Sequence, residues 1–375
     1  MTAVAQIEPR VSLHDLAALG QSVWIDFLSR DLVRTGGLHR LISTGVSGVT
    51  TNPTILQQAV AGSRAYDRQL RDLAATGADA ETALFQIAAT DVAAACDALA
   101  DVWRESAGRD GFVSWEVDPA LADSPKETVA EAHALVCRVG RPNLLVKIPA
   151  TRSGVAAFEE ATAAGLSVNV TLIFTLARYG EVLSAYSRGL SRAAAAGLDL
   201  TAIHSVASFF VSRLDVAADR LLDKIGTPTA RALRGRLGIA SAKLAYRLFQ
   251  RAQATERWEH LRASGAEPQR CLWASTATKN HAYRDVMYVE ELVGRSTVTT
   301  LPSATLDAFL DHGRAAPTLT QGVEEAAGHM LQLAAAGVDV DAIGRELERD
   351  GVERFRRSQR EAVDSVAATI ASPKS

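Results

Sequence analysis

Residues 144–151 read LLVKIPAT, and where the one charge falls in that run decides the fold. In extended chain Leu144, Val146 and Ile148 share one face and Lys147 takes the other, because side chains alternate with every residue. Parallel strands are normally apolar on both faces, so a lysine inside one is informative. The same alternation returns in the other β-rich runs. Val113, Trp115 and Val117 oppose Glu116, while Val23, Ile25 and Phe27 oppose Asp26. Val168, Val170 and Leu172 oppose Asn169 and Thr171; Thr50 and Asn52 are set against Val49, and Ser208 against Ala207.

Outward from this run, strands are expected at 22–27, 47–51, 112–117, 143–148, 168–172, 203–207, 270–274 and 297–301. Helical periodicity follows each. Leu176, Tyr179, Leu183, Tyr186 and Leu190 make one apolar stripe on a helix running from near Thr175 to Gly197. Strand and helix in strict alternation mean a parallel sheet with right-handed crossovers. Eight such units predict an α/β fold, a closed (β/α)8 TIM barrel with extra helices. An open doubly wound sheet would want a glycine-rich turn after its first strand, and the chain there reads DFLSRD. The whole chain, 1–375, is read as a single domain. Its barrel spans 14–314, with helix-pair insertions near 55–108 and 209–266, and 315–375 is a helical extension covering the barrel.

Composition narrows the function classes. The chain has 375 residues, 47% hydrophobic and 22% charged, which supports a large core rather than disorder. Forty basic and 43 acidic side chains leave a formal charge of −3, so no nucleic-acid partner is expected. Cys96, Cys137 and Cys271 are scattered without a CxxC pair, read as small buried apolar residues in a reducing compartment. The opening MTAVAQIEPR lacks a signal-peptide pattern, and no apolar run is long enough to span a membrane, so a cytoplasmic location is expected.

In a barrel the apolar strand faces pack under the helices, so the polar set projects into the lumen, mostly near the C-terminal strand ends where barrel enzymes build their sites. A lysine, two carboxylates, two amides and several hydroxyls in one space suit Schiff-base chemistry. Free lysine is neutral at well under ~1% at pH 7. Enclosure by Leu145 and Pro149 disfavours the ammonium, whereas a carboxylate in contact would stabilise it. Glu116 is therefore expected to work through water. Each residue also has a plain explanation: an ion-paired lysine, a capping carboxylate, β-forming threonines, a strand-to-helix turn at Asn52-Pro53. Those explanations would have to share one parity by accident.

The motifs GVTTNPTIL (48–56), SWEVDPALA (114–122), LLVKIPAT, NVTLIF (169–174) and SVASFFVSRLD (205–215) together resemble the transaldolase family. WASTATKN (273–280) and the nearby YVEELVG are similar to its longer bacterial branch. The resemblance implies a class I transferase of the pentose phosphate pathway, needing no metal and no cofactor. It would move a dihydroxyacetone unit from sedoheptulose 7-phosphate to glyceraldehyde 3-phosphate, giving erythrose 4-phosphate and fructose 6-phosphate. On that resemblance Lys147 is the nucleophile and Asp26 the acid/base for the C4 hydroxyl. Glu116, aided by Thr171, works with a water on the carbinolamine. Asn52, Asn169 and Ser208 hold the dihydroxyacetone hydroxyls, and Thr50 and Phe210 line the same pocket. Arg213 matches the phosphate arginine; Lys279 replaces a second arginine, and Ser275 adds a contact. Partners would be sugar phosphates, with monomer and homodimer both open.

Three other functions are weighed. A metal-dependent aldolase would need clustered histidines, and the eight here are scattered. An enzyme like fructose 6-phosphate aldolase would share the fold and lysine but release free dihydroxyacetone; such relatives tend to carry Gln at the position of Glu116 and Tyr at that of Phe210. A non-catalytic barrel that only binds would be expected to lack the lysine or the carboxylates.

Overall fold

The computed structural model describes residues 11–371; the MTAVAQIEPR segment, on which the signal-peptide expectation rests, lies outside them. Eight parallel strands close into one barrel in sequence order. They are β1 (Gln21–Ile25), β2 (Val46–Thr50), β3 (Phe112–Glu116), β4 (Leu144–Pro149), β5 (Val168–Ile173), β6 (Ser205–Phe210), β7 (Arg270–Ala274) and β8 (Thr297–Leu301). The expected barrel is the observed one, with β7 and β8 at the expected bounds and the others shifted by one to three residues. The helix expected from near Thr175 runs Leu176–Ala195, capped where the Thr175 hydroxyl accepts from the Arg178 N–H.

Trp24 fills the floor of the barrel. Its neighbour in register is Gly48, where any Cβ would lie 2.5 Å from the indole. The indole Nε1 donates to Asp110 Oδ1 at 2.7 Å, which satisfies a buried polar group at the sealed end. Chemistry is thereby confined to the opposite, C-terminal mouth.

Three expectations need correction. The insertions are more than helix pairs: Pro53–Ala61, Asp67–Ala75, Ala80–Ala98 and Ala100–Glu105 fill the first, and Ser212–Ile225, Pro228–Ala232, Leu237–Gln253 and Glu256–Ala263 the second. Gly62-Ser63 and Gly226-Thr227 interrupt a periodicity that otherwise reads as continuous. The connection after β7 is irregular and holds only the short helix Met287–Glu290. Cys137 is exposed on the Pro125–Val139 helix, whereas Cys96 and Cys271 are buried.

After residue 315 come two helices, Val323–Ala335 and Val340–Ala371. The second crosses the C-terminal mouth, and its small residues let it approach closely. A Cβ on Gly344 would lie 2.1 Å from Thr175, and one on Gly351 2.8 Å from Leu172. One turn on, the Phe355 ring lies over Lys147, and Ser358 Oγ meets Thr54 Oγ1 at 2.7 Å. Beyond the mouth, Ala362 and Val366 close a satellite core with Tyr66, Leu70, Leu84 and Ile87. No helix among the described residues is long and apolar enough to cross a membrane.

Candidate active site

Strand register lines up the central groups. Lys147 on β4 is the direct partner of Glu116 on β3 and of Asn169 on β5. All three are buried. Lys147 Nζ donates to the Thr51 carbonyl at 2.9 Å and lies 3.4 Å from Glu116 Oε2. The expectation that Glu116 would stand off behind a water is therefore corrected: adjacent register positions bring the two charged ends together. The contact lacks hydrogen-bond geometry, so the buried Oε2 stays unsatisfied. Burial pushes the Glu116 carboxyl up to about 7, against the opposing pull of Lys147. A cavity of ≈ 40 Å³ adjoins it, lined by Glu116, Thr51, Asn52, Asp91 and Gln359 among others. Its walls are mostly apolar, from Leu28, Ile55, Leu56 and Trp115 among others, but it has room for a water beside the Glu116 carboxyl.

The hydroxyl-binding candidates form a chain. Ser208 Oγ donates to Asn169 Oδ1 at 2.7 Å, and Asn169 Nδ2 donates to Ser114 Oγ at 3.0 Å. Thr171 is fully buried with its Oγ1 unpartnered, at a place where β5 is irregular. The neighbouring Leu172 has φ +60°, a conformation rare outside glycine, and the β5–β6 register shifts there. The alternation that placed Leu172 under the outer helices stops at Val170, and Leu172 instead meets Gly351 of the crossing helix. Asn52 serves partly as the plainer reading had it. Its Oδ1 caps the Pro53–Ala61 helix by accepting from the Ile55 N–H at 3.0 Å, leaving the Nδ2 hydrogens for a ligand.

Asp26 follows β1 at the mouth and accepts from Thr50 Oγ1 at 3.2 Å; Thr50 Oγ1 also meets Thr300 Oγ1 at 2.9 Å. Burial raises the Asp26 carboxyl above its usual range, while Lys147, Thr50, Arg213 and Lys279 pull it back. Asp26 thus lies within the field of the lysine and of two further cations. Arg213, on the Ser212–Ile225 helix, places its guanidinium 5.1 Å from the Phe210 ring, and Phe210 packs on Phe174. Burial, then repulsion from Arg354, lower Arg213 to about 10. Lys279 is exposed overall, and the partial desolvation of its ammonium, then Arg213, lower it. Ser275 has φ +58°, and its Oγ meets Ser212 Oγ at 2.9 Å, joining the β7 loop to the Arg213 helix.

Two residues at this site were not anticipated from sequence, and both lie on the Val340–Ala371 helix. The Phe355 ring centroid is 5.8 Å from Lys147 Nζ, so an aromatic lid joins Leu145 and Pro149 in enclosing the lysine. Arg354, its neighbour, adds a third positive field to Arg213 and Lys279. The signal available was the pair Gly344 and Gly351, seven residues apart, which marks a helix face built for close approach.

Comparison with known proteins comes to the same place as the geometry. The family model described as Transaldolase/Fructose-6-phosphate aldolase matches residues 23–366. A "Transaldolase" of Parafrankia sp. (strain EAN1pec) is 49% identical over 365 residues, covering 97% of this chain and 99% of that protein. The "Transaldolase" of Frankia alni is 49% identical over 360 residues (96% and 97%), and "Transaldolase 1" of Streptomyces coelicolor 47% over 361 (96% and 95%). A lysine-centred lumen at the mouth of a closed barrel, matched along almost its full length, leads to one conclusion: the chain belongs to the transaldolase/fructose-6-phosphate aldolase family.

Proposed function

We propose that this chain is a transaldolase, moving a dihydroxyacetone unit between sugar phosphates in the cytoplasm through a Schiff base on Lys147. The observation that carries the reading is Lys147, buried at 4% exposure beside a buried carboxylate with an unsatisfied oxygen. Lys147 Nζ adds to the C2 carbonyl of the donor ketose. A Glu116 carboxyl poised near neutrality protonates the departing carbinolamine hydroxyl, which leaves as water. Asp26 then takes the C4 hydroxyl proton. The C3–C4 bond breaks, its electrons pass into the iminium to give an enamine, and the aldose leaves. The acceptor aldehyde adds by the reverse path, and water regenerates the lysine.

Ser208 and Asn169 are tied to each other at 2.7 Å, a preorganised pair for the hydroxyls of the bound three-carbon unit. Arg213 offers a planar fork to the phosphate, and Lys279 a point charge. Phe355 excludes water from the enamine, which favours transfer over release. Supplying fructose 6-phosphate and erythrose 4-phosphate should give sedoheptulose 7-phosphate and glyceraldehyde 3-phosphate, followed by coupled reduction of the triose. Release of free dihydroxyacetone with no seven-carbon product would assign the aldolase activity instead.

A further inference from the structure

The loop after β7 carries Lys279 but has almost no regular structure of its own, so something else must hold that charge in place. Three staples hold the loop, all anchored on the Ser212–Ile225 helix that presents Arg213. The first is the Ser212–Ser275 hydroxyl pair already described. The second is Asp219, whose Oδ2 accepts from the Tyr283 hydroxyl at 2.5 Å and whose Oδ1 accepts from the Gly235 N–H at 2.9 Å. The third is Asp215, which accepts from the Tyr288 hydroxyl at 2.7 Å and from the Gly238 N–H at 2.8 Å. Both carboxylates are buried, and they sit one helical turn apart.

The two carboxylate staples are built alike: an aspartate with one oxygen on a glycine amide and the other on a tyrosine hydroxyl. The glycines are required by the fit. A Cβ on Gly235 would lie 2.9 Å from the Tyr283 ring, and one on Gly238 2.6 Å from the Val211 carbonyl. Between the first and second staples the chain makes a tight turn, with the Tyr283 N–H on the Asn280 carbonyl at 3.0 Å. Lys279 is the residue before that turn. Neither aspartate and neither tyrosine has a part in the Schiff-base chemistry.

We infer that the Asp219–Tyr283 and Asp215–Tyr288 pairs are a positioning ladder that fixes Lys279 relative to Arg213 and so sets preference for phosphorylated over unphosphorylated aldehydes. The inference rests on the reading of Arg213 and Lys279 as the phosphate cations. A lysine on a free loop would spend most of its time in solvent, and ordering it at each binding event would cost affinity. Ladder residues act through Lys279 and touch no substrate.

The test compares glyceraldehyde 3-phosphate with unphosphorylated glyceraldehyde as acceptors in wild type, Tyr283→Phe, Lys279→Ala and the double variant. Tyr283→Phe removes one hydroxyl near the surface and keeps the ring. It should lower kcat/KM for the phosphorylated acceptor about fivefold, through KM, and leave the unphosphorylated one unchanged. In the Lys279→Ala background the same change should have no effect on the ratio. Equal loss on both acceptors, or an unchanged ratio with a lowered melting temperature, would make the ladder merely structural and overturn the inference. If Lys279→Ala itself leaves the ratio unchanged, the phosphate-cation reading fails and takes the ladder with it. If Lys279→Ala lowers the ratio and Tyr283→Phe does not, only the ladder fails.

Discussion

Glu116 and Lys147 are register partners on adjacent strands, and their charged ends lie 3.4 Å apart in a buried lumen. An ion pair this close would ordinarily hold the carboxyl low. Burial outweighs it, and the carboxyl stands at about 7. Below that pH Glu116 is a neutral acid able to protonate a departing hydroxyl. The rate of imine formation should therefore fall as pH rises through about 7. Glu116→Gln should lose that inflection and slow the step about 100-fold or more, as single-turnover kinetics across pH would report.

Phe355 covers the lysine from a helix distant in sequence. Phe355→Ala should cost about 3 kcal/mol of stability, measurable by denaturant titration. It should also open the enamine to water. The ratio of free dihydroxyacetone released to dihydroxyacetone transferred should rise, while Lys147 still forms its adduct. An unchanged ratio would remove Phe355 from the account of water exclusion.

Arg213 and Arg354 differ in exposure, and the difference ranks them. Arg213 is largely enclosed and stacked beside Phe210, so Arg213→Ala should raise KM for phosphorylated substrates about 10- to 100-fold. Arg354 is exposed, and Arg354→Ala should raise KM only about two- to fivefold, an effect that added salt should reduce. Steady-state kinetics at two ionic strengths would check both. A larger effect at Arg354 would reverse the order.

Much of this was legible in the sequence, for a definable reason. Period-two alternation depends only on neighbouring residues, so Lys147, Glu116, Asn169 and Ser208 could be placed on the lumen face without knowing how the barrel closes. Closure then supplied their register. Leu172 was misplaced because nothing about leucine announces a positive φ. Phe355 and Arg354 were invisible because the Val340–Ala371 helix is amphipathic like any surface helix, and its crossing of the mouth is set by contacts with Thr175, Leu172 and Thr54 far away in sequence. The Asp215 and Asp219 pairings with tyrosines are long-range in the same way.

Stability should decline between pH 6.5 and pH 8. Burial raises Glu116 and Glu131 to about 7, above their unfolded value. The stability linked to a raised carboxyl is complete below the unfolded pKa and is lost as pH rises through the folded one. His204, lowered to about 4 by burial, acts in the other direction but only below its unfolded pKa near 6.5. It is therefore silent in this window. Calorimetric melting temperatures at pH 6.5 and 8 should differ in that order; a higher value at pH 8 would contradict the assignment.

Lys147, as the residue proposed to carry the substrate, should become covalently attached to it. Incubation with fructose 6-phosphate, reduction with borohydride and intact-mass measurement test this most directly, with peptide mapping to locate the adduct. One dihydroxyacetone-derived adduct is expected on Lys147, none in Lys147→Ala, and an adduct with little C–C cleavage in Asp26→Ala, where the intact sugar is trapped. An adduct on another lysine, or an unmodified protein after reduction, would contradict that role for Lys147.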